Sequence, residues 1–178
     1  MTEAEIHAGS PFWRFSLRFY RQAGVADACI ALQDGSGVDV NVLLFFLWLA
    51  TAKRRIAAAE VEAVCTKAGP WRDDVVVPLR TLRRRLKDEV PLVERHTAEL
   101  FRTRIKGVEL EAERLEQEAL FGLAPSLATT NEPSVEAAAR ANMAAYERSI
   151  GRGFRPAAVN VLLAAIGADE ADTPKETA

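Results

Sequence analysis

Cysteine and histidine are nearly missing from this chain, at two residues each in 178. Cys29 and Cys65 form no C-x-x-C pair, which excludes a disulfide scaffold and leads us to expect a reduced, cytoplasmic protein. His7 and His96 stand in no H-E-x-x-H or E-x-x-H, so the usual helical zinc and di-iron sites are missing, and neither metal nor cofactor is expected. No G-x-x-x-x-G-K-[ST], G-x-G-x-x-G or G-x-S-x-G occurs, and Asp73-Asp74 lacks the third acid of a prenyl-diphosphate motif. Charge is not of one sign: 23 Lys and Arg face 25 Asp and Glu, a net of −2, so no global field draws nucleic acid. Met1 to His7 has neither the basic start nor the apolar stretch of a signal peptide. The longest apolar run, Val42 to Ala50, falls well short of the roughly 20 residues that cross a bilayer, so no membrane partner is expected.

What is present reads as helix. Ser10-Pro11 is an N-cap followed by proline at the first helical position, where its missing N–H costs nothing. Phe12, Phe15 and Phe19 with Trp13, Leu17 and Tyr20 form a wide apolar face, and Arg14, Arg18 and Arg21 the solvated one. A short helix is expected from about Val25 to Gln33, then turn chemistry in Asp34-Gly-Ser-Gly37 and a new N-cap at Asp39. Val40 to Ala52 is apolar all round and predicts a central buried helix, with Lys53-Arg54-Arg55 at its wet end. Ala57 to Ala68 predicts a helix stopped by Gly69-Pro70, and Trp71 to Lys87 is read as helical only in its second half, through Leu79, Leu82 and Leu86.

From Pro91, Ala98, Phe101, Ile105, Val108, Ala112, Leu115 and Ala119 alternate at spacings of three and four. They predict a helix of about 30 residues, some 45 Å long, that ends at Gly122. A loop over 123–134, an Ala-rich helix from Val135 to Ile150 and a last one from Pro156 to Ile166 complete the chain. The fold expected is all-α: one irregular bundle of seven or eight helices over 10–167, between a flexible N-terminus (1–9) and a disordered tail (168–178).

Two charged stretches could carry function. Arg80, Arg83, Arg84, Arg85 and Lys87 could form a phosphate-binding face, or simply a solvated helix end paired with Glu94 and Glu99. The second reading outweighs the first, so only weak, non-specific association with nucleic acid is expected. Glu109, Glu111, Glu113, Glu116 and Glu118 form an acidic run. With a hairpin turning near 89–90, residue 72 should lie beside about 108, which leaves this run past its own hairpin partner. Its basic counterpart would then be Arg14, Arg18 and Arg21, or another chain. Trp13, Trp48 and Trp71 read as core aromatics, and Asn41 as a buried amide that must find partners.

Three stretches, Phe12-Trp13-x-Phe-Ser16-Leu17-x-x-Tyr20, Cys29-x-x-Leu32-Gln33-Asp34 and Asp39-x-Asn41-x-Leu-Leu, together with Trp48, open a longer pattern. It continues in Trp71-x-x-x-Val75-Val76-x-Pro78-Leu79-Arg80-x-Leu82-Arg83-x-x-Leu86-Lys87 and Ile105-Lys106-x-x-Glu109-Leu110-x-Ala112-Glu113. Over about residues 11 to 122 the chain resembles the uncharacterised proteobacterial family catalogued as domain of unknown function 2390. The resemblance implies an all-helical bacterial protein with no established activity or cofactor. It also suggests a polar cleft between helices, made of Tyr20, Gln33, Asp34, Asn41, Arg80, Arg83, Glu109 and Glu113; ion pairs holding the bundle together would account for the same residues.

Two functions follow as expectations. The leading one is a non-catalytic interaction or regulatory module with a protein partner, a homodimer through Phe101, Ile105, Val108, Ala112 and Leu115. The alternative is an enzyme or binding protein that takes an anionic small molecule into an Arg/Glu-lined cleft.

Overall fold

The computed structural model describes residues 9–88 and 92–172, with side chains up to 168. Eight α-helices follow one another among these residues. They are α1 (Pro11–Tyr20), α2 (Val25–Ser36), α3 (Val40–Thr51), α4 (Ala58–Trp71), α5 (Val77–Arg85), α6 (Arg95–Leu123), α7 (Val135–Ile150) and α8 (Pro156–Asp172). The all-α expectation holds, and no helix among the described residues is long and apolar enough to cross a membrane.

α3 lies at the centre because nothing on its surface needs water. Leu43, Phe45, Phe46 and Leu47 are wholly buried, and Asp39 caps the helix by accepting from the N–H groups of Asn41 and Val42. Aromatic rings bind the neighbouring helices to it. Phe12 of α1 stacks at a tilt on Phe45 with centroids 5.4 Å apart, and Tyr146 of α7 meets Phe46 edge-on at 5.3 Å. The caps at Ser10 and Asp39 stand where expected, and Ser134 caps α7 by accepting from the Ala137 N–H.

Several boundaries differ from the sequence reading. α2 runs through Asp34-Gly35 to Ser36 and is closed by Gly37 at φ 71°, so the turn falls later than Asp34. Lys53 takes φ 56° and ends α3, after which Arg54–Ile56 forms a strand, β1, rather than a wet helix end. β1 pairs antiparallel with β2 (Thr129–Asn131), Ile56 opposite Thr129, so the expected 123–134 loop holds a strand and a 3-10 turn at Ala124–Ser126. Three-residue strands have no alternation long enough to read.

Gly69-Pro70 does not stop α4. The helix passes through it into a π-type turn, Arg72–Val76, and on into α5. The Val77 N–H donates to the Arg72 carbonyl, five residues back. Pro78 makes this widening useful. It lacks an N–H and presses its ring on the preceding turn, which is the widened one, so the conflict is relieved without ending the helix.

α6 starts at Arg95, where Glu94 caps it by accepting from the N–H groups of His96 and Thr97; the expected start at Pro91 lies outside the described residues. Its expected seam is divided. Ala98 and Ala112 are buried and Ile105 is half-buried, whereas Phe101, Val108 and Leu115 face solvent. Trp71, read as core, also stands at the surface, its Nε1 donating to the Ala112 carbonyl at 3.0 Å. α8 runs past Ile166 to Asp172, and residues 1–8 and 173–178 lie outside the described part.

Candidate functional site

α1, α2, α3, α5 and α6 enclose a cleft of about 410 Å³. Helical spacing makes it. Trp13, Leu17 and Tyr20 lie on one stripe of α1, and Lys106, Glu109, Leu110, Glu113 and Gln117 on one stripe of α6. Tyr20, Gln33, Asn41, Arg80, Arg83, Glu109 and Glu113 all line the cleft. Asp34 does not. It sits outside and accepts from Arg84 at 3.1 Å, and Arg84 itself lines the cleft.

Ion pairs between α5 and α6 form one wall. Arg80 donates through Nε to Glu109 at 3.1 Å and through Nη2 to Glu113 at 2.6 Å. Arg83 chelates Glu109 with both Nε and Nη2. These contacts correct the hairpin register expected from sequence. Because α4, the π-type turn and α5 follow each other without a break, α5 reaches as far as Glu113, and the acidic run finds partners in its own hairpin. Glu118 accepts from the Ser10 N–H at 2.8 Å, and Glu111 holds Arg114. Glu94 and Glu99, expected to pair with the α5 arginines, are engaged instead in the α6 cap and with Arg102. Arg14 and Arg18 remain on the exposed side of α1, whereas Arg21, just past its end, stands at the cleft.

The floor is a buried amide relay. Asn41 Nδ2 donates to Glu116 Oε2 and Gln117 Nε2 donates to Asn41 Oδ1, both at 2.8 Å. Asp39 Oδ2 and Glu116 Oε1 are buried without a hydrogen-bond partner, and the Arg72 guanidinium stands 4.0 Å from Asp39 Oδ2. Burial first, then the Asp39 carboxylate, push the Glu116 carboxyl up to about 9. An acid whose pKa is raised on folding keeps its proton in the native state while the unfolded chain has lost it. Its stabilising contribution is therefore complete below the ordinary 4.5 and is lost as pH rises toward about 9. Glu116→Gln, which mimics the protonated acid, is expected to reduce the fall in melting temperature between about pH 6 and pH 9 relative to wild type. An equal fall in both proteins contradicts this assignment.

Trp13, Leu17, Ile30, Leu44 and Leu110 give the cleft its apolar walls. Burial raises the Tyr20 phenol to about 12, so it enters the cleft as a neutral hydroxyl. Three lining residues each hold a buried polar atom without a partner: Trp13 Nε1, Ser16 Oγ and Gln117 Oε1. Arg21 and Lys106 also line the cleft, and neither makes an ion pair with another described residue. None of these five was singled out as a site residue from sequence. Lys106 and Gln117 could have been, since they share the helical stripe of Glu109 and Glu113.

Glu109 and Glu113 are both committed to Arg80, which makes this part of the acidic run an ion-pair face rather than a cation site. Among the described residues no group of three or more His, Cys, Asp or Glu is arranged to hold a metal ion. No curated protein and no solved structure matches the chain. A family match does exist, over residues 11–120, and that span contains every side chain lining the cleft. The chain belongs to the family described as Protein of unknown function (DUF2390).

Proposed function

We propose that this protein binds a small anionic molecule in the cleft between α1, α2, α3, α5 and α6. The observation that carries the reading is the lining, with five cationic side chains, two anionic ones and a mostly apolar wall around about 410 Å³. That volume is in the range of small-molecule sites. Glu109 and Glu113 neutralise Arg80 and Arg83, and Asp34 neutralises Arg84 from outside, which leaves Arg21 and Lys106 for a ligand.

The ligand class follows from the wall. A carboxylate or phosphate monoester meets the cations, an apolar body packs on Trp13, Leu44 and Leu110, and a hydroxyl or amide satisfies Ser16 Oγ and Gln117 Oε1. An unpaired buried polar atom costs roughly 1–3 kcal/mol, so a ligand that pairs with it gains specificity as well as affinity. A protein-interaction role is favoured by a different surface, the outer stripe of α6 bearing Phe101, Val108 and Leu115.

A thermal-shift screen with inorganic phosphate, phosphate monoesters and aryl or alkyl carboxylates tests the proposal. A binder at about a hundred times its Kd adds roughly 2.7 kcal/mol, a rise in melting temperature of about 5 to 10 °C. Replacing Arg21 and Lys106 together by glutamate should leave the unliganded melting temperature unchanged and weaken the binder at least tenfold. A panel that shifts nothing, or a shift retained in that double variant, overturns the reading.

A further inference from the structure

Phe101, Val108 and Leu115 repeat every seventh residue on α6 and are each about half exposed, at 50%, 53% and 46%. They form a straight apolar stripe along the outer edge of the helix, spanning about 21 Å. The residues three positions further on, Arg104 and Glu111, stand on its solvent flank, while Ala98, Ile105 and Ala112 turn toward the protein's own core. Arg104 makes no ion pair with another described residue, and Glu111 is held only by the exposed Arg114 of its own helix.

We infer that this stripe binds a second copy of the same chain, with the two α6 helices antiparallel and the two-fold axis beside Val108. The stripe is complementary to itself in that arrangement alone. Val108 meets Val108 of the other copy, Phe101 meets Leu115, and Leu115 meets Phe101. The solvent flanks face each other across the axis, so each Arg104 stands opposite the other copy's Glu111. In a parallel pair the two-fold axis runs along the helices, so each solvent flank would face the other copy's core-side flank and Arg104 would not stand opposite Glu111. The helix dipoles agree, since antiparallel helices set each positive end against a negative one. The surface is separate from the cleft, so the pairing does not rest on ligand binding.

Light scattering and cysteine cross-linking test it together. At about 100 µM the scattering mass should be twice the 19.5 kDa of the chain, as expected for an interface with a micromolar Kd. Leu115→Arg should return the mass to that of one chain, and in dilute solution, where wild type is also a single chain, the two should melt together, because Leu115 is no part of the core. For register, Phe101→Cys and Leu115→Cys are prepared as separate variants and oxidised alone and mixed. Only the mixture should give a disulfide-linked dimer, beyond the wild-type baseline set by the buried Cys29 and half-buried Cys65. Three results overturn the inference: a single-chain mass for wild type at that concentration, Phe101→Cys cross-linking to itself, or a dimer that survives Leu115→Arg.

Discussion

Asn142→Ala should cost about 4 kcal/mol of stability and lower the melting temperature by about 12 °C. Asn142 lies on α7 with no exposed surface, in contact with both the central helix and the small sheet. Its Oδ1 accepts from the Ile56 N–H at 2.9 Å, and its Nδ2 donates to the carbonyls of Phe46 and Arg54, each at 3.0 Å. Removing the amide takes a hydrogen-bond partner from each of these three backbone groups. Each orphaned group costs roughly 1–3 kcal/mol, partly relieved if water enters the space that alanine leaves. Asn142→Leu separates the two causes, because it fills the volume and pairs nothing. If Asn142→Leu melts with wild type, the amide is not what joins α7 to β1, and this account fails.

Glu109→Gln has the next largest expected effect, a loss of about 2–3 kcal/mol. One buried carboxylate bridges two guanidiniums here, with side-chain exposures of 6% for Glu109, 17% for Arg80 and 24% for Arg83. Removing one partner of a buried ion pair typically costs 3–5 kcal/mol, and the partial exposure of both arginines reduces that. Arg80 keeps Glu113, so most of the damage falls on Arg83. Glu109→Leu combined with Arg83→Met should therefore be more stable than Glu109→Leu alone, since no cation is left buried without its counter-charge. Urea melts of the set decide the matter. Equal midpoints for wild type and Glu109→Gln would show that the α5–α6 ion pairs contribute nothing net.

Much of the candidate site was legible before any coordinates. Asn41 could be marked because one polar side chain in an unbroken apolar helix must find partners. Arg80, Arg83, Glu109 and Glu113 could be grouped because all four stand in the motifs that carry the family resemblance. The reading failed where the partner of a face mattered. The acidic run was expected to lack cations in its own hairpin, yet Arg80 and Arg83 reach it, because the register depends on how α4 continues through Pro70 into α5. Asn142 left no signal at all. An asparagine in an Ala-rich helix resembles any solvated polar position until the strand beside it is known.

By itself the sequence determined the helical class, the apolar helix at the centre, the caps at Ser10 and Asp39, and the stripes that each long helix presents. These are local properties, set by 3.6-residue periodicity and by hydrogen bonds spanning three or four residues. Only the tertiary structure decided that Gly69-Pro70 would be bridged by a π-type turn, that Arg54–Ile56 would pair with Thr129–Asn131, and that the α6 seam would split into a buried and an exposed line. Each of those outcomes depends on groups distant in the chain, as when Arg54 meets Asn131 or Asn41 meets Glu116. Such pairings are won by burial and hydrogen-bond satisfaction summed over the whole core, a quantity that no window of sequence contains.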